Sequence, residues 1–245
     1  MERFIDMHCH MLPGIDDGAK DETTAFSMLD MAYRDGIRSV CFTPHCNPYE
    51  KIPDTEAIQT VYRRFSAAAK ERYPDMRFSL GSEIMYYDGC TEDVRDGKCF
   101  SLCGGKYLLL EFPPDIEYTE MKRSIGRINS YGYRVLLAHA ERYACLLRKR
   151  ERVFELSEED VLIQLNASLF RKHGIWKAFR EKRFIRTILS SRIPFMVCTD
   201  AHNTDTRAPI LSDAYRFLCG KLGQEAAHQI FSDIPESLLP NDAAD

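Results

Sequence analysis

Apolar positions along this 245-residue chain follow two alternating rhythms. Short apolar stretches predict strands at Arg3–His8, Ser39–Thr43, Arg77–Glu83, Lys106–Phe112, Tyr133–Ala138, Val161–Asn166 and Pro194–Thr199. Between them the period lengthens to three or four residues. Ala25, Met28, Leu29 and Ala32 mark a helix over Glu22–Asp35, closed by Gly36, and Ile58, Val61, Tyr62 and Phe65 mark one over Thr55–Arg72. Further helices are predicted over Glu117–Tyr131, most of Arg142–Leu156, Lys177–Ser191 and Pro209–Leu222. Strands that are nearly all followed by a helix imply a parallel sheet, open or closed. Leu108–Leu110 and Val135–Ala138 are continuously apolar, as strands covered on both faces must be. The small and polar residues from Pro235 to Asp245 read as a loose tail.

The polar residues that interrupt this pattern fall at strand ends. Asp6, His8 and His10 close the first strand, His45 follows the second, and Glu83 and Glu111 end the third and fourth. His139 follows the fifth, and Asp200 and His202 follow the last. In parallel α/β barrels, active sites assemble on that face. Residues i and i+2 of a strand point the same way, so His8 and His10, and again Asp200 and His202, can reach one ion. Asp17 adds a carboxylate just beyond the first pair, although Asp16-Asp17-Gly18 is equally an ordinary turn. Taken singly, each of these is a solvated strand end or a surface histidine; taken together they are not. Nine nitrogen and oxygen ligands exceed what one transition metal takes and suit two or three ions with a bridging carboxylate. Imidazole with carboxylate and no thiolate favours manganese, iron or zinc. Arg142 and Arg207 lie on two of the same loops, and guanidinium groups match phosphate oxygens better than an amide.

Composition narrows the field. A net charge of -4 argues against a nucleic-acid binder. No apolar run reaches the roughly 18 residues of a membrane helix, and Met1–His8 lacks the basic-then-apolar profile of a signal peptide. Nine irregularly spaced cysteines do not read as a disulfide framework and fit a reducing cytoplasm, with Cys9, Cys41, Cys46 and Cys198 as small buried apolar groups. The chain has no Cys-x5-Arg, Asp-x-Asp or Gly-x-Ser-x-Gly, the motifs of enzymes that attack phosphate or ester with a side chain. The segment from Arg171 to Arg186 carries seven lysines and arginines against Glu181. It reads as a solvated helix face, with docking of an acidic phosphorylated segment as the alternative.

His8–His10, Leu12–Ala19, Thr43–His45, Gly81–Glu83, Leu109–Pro113, Leu137–Tyr143, Gln164–Ala167 and Asp200–Asn203, in that order, resemble the PHP superfamily. More closely, they resemble the capsule- and exopolysaccharide-associated bacterial tyrosine phosphatases, to which Leu12–Ala19 and Leu137–Tyr143 are specific. The resemblance implies one distorted (β/α)7 barrel domain across residues 1–245, with three divalent ions, usually manganese, at the C-terminal ends of its strands. It assigns His8, His10, Glu83 and Asp200 to one ion, Glu83, Glu111 and His139 to a second, and Asp17, His45 and His202 to a third. Arg142 and Arg207 resemble the family's phosphate-binding arginines. The implied activity is dephosphorylation of a tyrosine-rich cytoplasmic tail of a membrane-bound autokinase, tuning polysaccharide export. Ala140 stands where proline is usual and Thr199 where serine is usual, and neither removes a proposed ligand. Another PHP phosphoesterase, such as a histidinol phosphatase, or a silent PHP binding module is the alternative.

Overall fold

The computed structural model describes residues 2–48, 54–170 and 179–239. Its strands are β1 (Phe4–Cys9), β2 (Ile37–Phe42), β3 (His45–Cys46), β4 (Arg77–Leu80), β5 (Glu83–Met85), β6 (Tyr107–Glu111), β7 (Arg134–Leu137), β8 (Leu162–Asn166) and β9 (Phe195–Cys198). Every pairing is parallel. The order β1-β2-β4 forms one sheet and β3-β5-β6-β7-β8-β9 the other. Helices over Glu22–Asp35 and Thr55–Arg72 have the bounds their periodicity predicts. Asp21 and Asp54 cap them by accepting the N–H groups of Thr24 and Ala57. Gly36 ends the first in a left-handed conformation, φ 103°.

The seven expected strands become nine because the second resumes beyond Pro44 as His45–Cys46 and the third breaks at Gly81 and Ser82. Pro44 has no N–H to give a ladder. Gly81 N–H instead donates to Phe42 O (2.8 Å) and Glu83 N–H to Pro44 O (3.1 Å), so the two strands bend together without orphaning their backbone groups. A Cβ on Gly81 would lie 2.8 Å from the Leu102 side chain, which is why the bend needs glycine there. Beyond the bend, His45 and Glu83 pair side by side on the second sheet.

The sheets meet where β1 approaches β9. Asp200 N–H donates to His8 O and His10 N–H to Ala201 O, both 2.9 Å, around a lone bridge between Cys9 and Ala201. The strands thus curl into a distorted barrel whose seam is joined at the C-terminal rim rather than along a full ladder. Asp6 braces this seam. It is fully buried and accepts the Thr199 N–H (3.0 Å) and hydroxyl (2.5 Å), and burial pushes its pKa up to about 6 against those bonds. It therefore sits within the strand and apart from the rim. Met7, Leu109, Leu136, Ala138, Met196 and Cys198 form one buried layer, and Val40, Leu108, Leu110, Val135, Leu137 and Val197 belong to a second, larger one. This strand alternation, buried on both faces, is what the continuous apolar runs require.

Three expectations are corrected. The stretch Arg142–Leu156 is a short turn, Ala140–Arg142, followed by separate helices Ala144–Arg148 and Arg152–Glu158. The region from Pro235, read as a tail, begins inside the fold: Pro235 is buried and Leu238 packs with the Met7 layer. Cys46 is disulfide-bonded to Cys99, and seven cysteines remain free. The helix expected over Lys177–Ser191 is seen as Phe179–Leu189, and residues 171–178 of the basic segment lie outside the described residues. No helix among the described residues is long and apolar enough to cross a membrane.

Candidate metal centre

The structure gathers all nine candidate ligands at one rim, with Glu83 as the hub. Its Oε1 lies 2.9 Å from His139 Nε2 and 3.3 Å from His8 Nε2, and its Oε2 lies 3.0 Å from His45 Nδ1 and 3.2 Å from His10 Nε2. Glu111 approaches His139 Nε2 at 3.2 Å. Asp17, the most exposed member at 65%, reaches both His45 Nε2 and His202 Nε2 at 3.2 Å. Asp200 Oδ1 lies 3.5 Å from His8 and 3.6 Å from His10. Ligand atoms converge in three sets: His10, Asp17, His45 and His202; His8, His10 and Asp200; and His45, Glu83 and Glu111. The partition differs from the expected one: His10 and His45 are each shared between two sets, Glu83 falls in one set only, and His139 falls in none, although its Nε2 lies close to both Glu83 and Glu111.

Two of these residues leave their strands by left-handed backbone, His139 at φ 32° and Asp200 at φ 50°. Such conformations cost roughly 1–2 kcal/mol in an L-residue and persist only where neighbours fix them. Here Gln164 accepts the His139 N–H at 2.5 Å, and His8 O accepts that of Asp200.

The electrostatics fit divalent cations. Burial disfavours a charged His10, yet the hydrogen bond to Asp16 and the negative charge of Glu83 outweigh it and hold its pKa up to about 10. Burial likewise opposes a charged His139, but Glu111 and Glu83 raise it to about 9. Burial would raise Glu83, and the surrounding histidines hold it well below the usual carboxylate range. The carboxylates thus demand positive charge, which protons on His10 and His139 supply only in part. His8 Nε2 and His10 Nε2 face each other at 3.3 Å. Burial, with His10 and Arg207, pushes His202 down to about 4. Glu83 Oε2 and His202 Nε2 are buried close to their neighbours but form no hydrogen bond with any of them. Lone pairs aimed at shared space instead of at each other are what metal ions satisfy.

Arg142 and Arg207 flank this cluster. Each donates through Nη2 to one oxygen of Asp200, at 2.8 Å to Oδ2 and 2.6 Å to Oδ1, while their side chains stay 40% and 38% exposed. Burial would raise Asp200, but His8 and Arg207 hold its carboxyl far below the usual range.

A supporting layer went unread in the sequence. Asp16 Oδ2 meets His10 Nδ1 at 2.7 Å, and Asp16 also accepts the N–H groups of Gly18 and His45. Gly18 lets this loop close on His10, since a Cβ there would fall 1.9 Å from His10 O. Gln164 contacts His8 Nδ1 (3.3 Å) and donates to Asn166 Oδ1 (2.8 Å), and Asn166 donates to Asp200 Oδ2 (2.8 Å). Two amides at i and i+2 of a buried, otherwise apolar strand were the available signal. Groups that orient metal-binding imidazoles are typically worth about 10- to 100-fold in metal affinity. Asp16→Asn should therefore weaken metal binding by about that factor while leaving the circular dichroism spectrum unchanged. Titration of the metal-free protein checks this; unaltered affinity would reduce Asp16 to a loop-shaping residue.

Residues 4–240 match the family described as capsular polysaccharide synthesis, CpsB/CapC. The chain belongs to the CpsB/CapC family. It is 28% identical to the tyrosine-protein phosphatase CpsB of Streptococcus agalactiae over 97% of this chain and 99% of that one. It is 30% identical to the tyrosine-protein phosphatase YwqE of Bacillus subtilis over 97% and 92%. Among solved structures, it superposes with a TM-score of 0.85 and 28% identity, covering 96% and 94% of the two chains, on one from a study of Bacillus subtilis YwqE and Streptococcus pneumoniae CpsB, described as metal-dependent tyrosine phosphatases. Within this CpsB/CapC chain, the stretches that prompted the resemblance are those that line the rim.

Proposed function

We propose that this CpsB/CapC protein is a metal-dependent tyrosine phosphatase, acting in the cytoplasm with manganese on the phosphotyrosine tail of an autokinase that controls capsule or exopolysaccharide synthesis. The observation that carries the reading is the Glu83 hub with its unspent lone pairs, bracketed by Arg142 and Arg207. His8, His10, Glu83 and Asp200 would hold one ion, Glu83, Glu111 and His139 a second, and Asp17, His45 and His202 a third. Their all-nitrogen-and-oxygen chemistry suits manganese. When bound, such ions supply Lewis acidity and make water a competent nucleophile near neutral pH.

The chain's own residues do the rest. Arg142 and Arg207, pinned through Asp200, present fixed positive charge to the phosphoryl oxygens, where charge builds up during transfer. Asp17 and His45, the more exposed ligands, line the mouth. The leaving tyrosyl oxygen has a pKa near ~10, so it needs less proton assistance than an alkyl alcohol. Cys9 and Cys198 are fully buried, and burial pushes both thiols well above their ordinary pKa, which suits packing and not nucleophilic attack.

Metal-stripped protein should release no phosphate from a phosphotyrosyl peptide until manganese is added, and prior thiol alkylation should leave that release intact. Release without metal, or its loss on alkylation, would overturn the proposal.

A further inference from the structure

Away from the rim, the helix Phe179–Leu189 packs on the helix Ala144–Arg148 and on the turn Ala140–Arg142 that carries Arg142. Its outer side, with the helix Ser212–Leu222, encloses an open groove of about 820 Å³. Arg150, Lys182, Arg183, Arg186 and Lys221 line it, and none of the described residues lining it is acidic. The chain as a whole carries a net charge of -4, so this concentration of positive charge runs against the rest of the surface. The floor is apolar: Leu189, Phe217 and Leu222 are half-buried beneath the cations. A solvated helix face has no need of such a floor.

We infer that this groove docks an acidic segment flanking the phosphotyrosine of the protein substrate, holding the chain while the phosphorylated residue reaches Arg142 and the metal rim. The inference rests on the phosphatase reading and adds where the rest of the substrate lies. Charge complementarity selects an anionic partner. The concave shape and apolar floor favour a peptide with acidic and apolar side chains over a flat lipid surface. The groove is tied to the site through packing, since its helix Phe179–Leu189 contacts both the Ala140–Arg142 turn and the Ala144–Arg148 helix that follows it.

The test uses manganese-loaded full-length protein and the double variant K182E/R186E, both positions being exposed and outside the catalytic rim. Three substrates are compared: a phosphotyrosyl peptide with acidic flanks, the same peptide with Asp and Glu replaced by Asn and Gln, and p-nitrophenyl phosphate. Exposed charge pairs are individually weak, so the variant should raise KM for the acidic peptide by roughly fivefold or more, with kcat held. The neutral peptide and the aryl phosphate should change by less than about twofold. Raising salt should mimic the variant for the acidic peptide alone. Equal changes for all three substrates, or none for the acidic peptide, would overturn the groove while leaving the phosphatase reading intact. A separate arm measures anisotropy of a labelled, unphosphorylated acidic peptide. Salt-sensitive binding lost in the variant would support the groove even if phosphotyrosine turnover failed. Binding of phosphatidylglycerol vesicles without binding of the peptide would overturn a peptide occupant.

Discussion

Glu83→Gln should cut turnover of a phosphotyrosyl peptide by at least about 10³-fold, some 4 kcal/mol of barrier, and lower the metal content of the purified protein with it. The substitution keeps the shape of the side chain and removes its charge. Four imidazoles, from His8, His10, His45 and His139, lie within 3.3 Å of the two carboxylate oxygens. No other carboxylate at the rim touches so many. An amide in its place offers one neutral oxygen and turns an N–H donor toward ring nitrogens whose lone pairs already converge. It also withdraws the charge that most favours cations at the buried centre of the cluster. The check is paired: metal per chain by elemental analysis, and kcat/KM on the same preparation. Full metal content with lost activity would move Glu83 from ligand to a role on the substrate. Unchanged values of both would remove the hub from the mechanism.

How much of this could be read without coordinates depended on what kind of signal each part leaves. The strands and the two long helices were legible because each buries a continuous face, and Asp21, Asp54 and Gly36 mark ends with their own backbone chemistry. The rim was legible for a related reason: a barrel strand is apolar until it reaches the mouth, so His8, Glu83, Glu111, His139 and Asp200 stand out where apolar runs stop. Pro44 looked like a simple strand end and Gly81 lay inside one expected strand, because the pairing that continues across both breaks lies between strands, where sequence periodicity is silent. Gln164 and Asn166 belonged to a recognised motif, but their hydrogen bonds to His8, His139 and Asp200 join residues far apart in sequence. The Cys46–Cys99 bond spans 53 residues and joins β3 to the loop ahead of Leu102–Gly104, a tertiary contact that cysteine spacing could not reveal. The packing of Ile230, Phe231 and Ser232 into the fold, ahead of the buried Pro235, likewise follows from tertiary contact and left no period strong enough to predict an element there.

Arg142→Ala should lower kcat/KM for a phosphotyrosyl peptide by about 10²- to 10³-fold, the usual loss when one preorganised donor to a developing oxyanion is removed, with metal content preserved. Arg142 is half out of the rim and touches the cluster through Asp200 Oδ2, which keeps a second partner in Asn166 at 2.8 Å. Losing the guanidinium therefore strips charge from the substrate side while Asp200 stays held. Inhibition by inorganic phosphate should weaken in parallel, which a purely structural role would not produce. Arg142→Lys should recover little, because an ammonium cannot hold Asp200 and span phosphate oxygens with one planar fork. Arg207→Ala should behave similarly, and the double variant should lose less than the product of the two single losses, since both arginines are anchored on the same carboxylate and lean on one another through it. If Arg142→Ala instead sheds metal in proportion to activity, Arg142 acts through Asp200 as a positioning residue for the ion. In that case phosphate recognition falls to Arg207, whose own variant would then show weakened phosphate inhibition at full metal content.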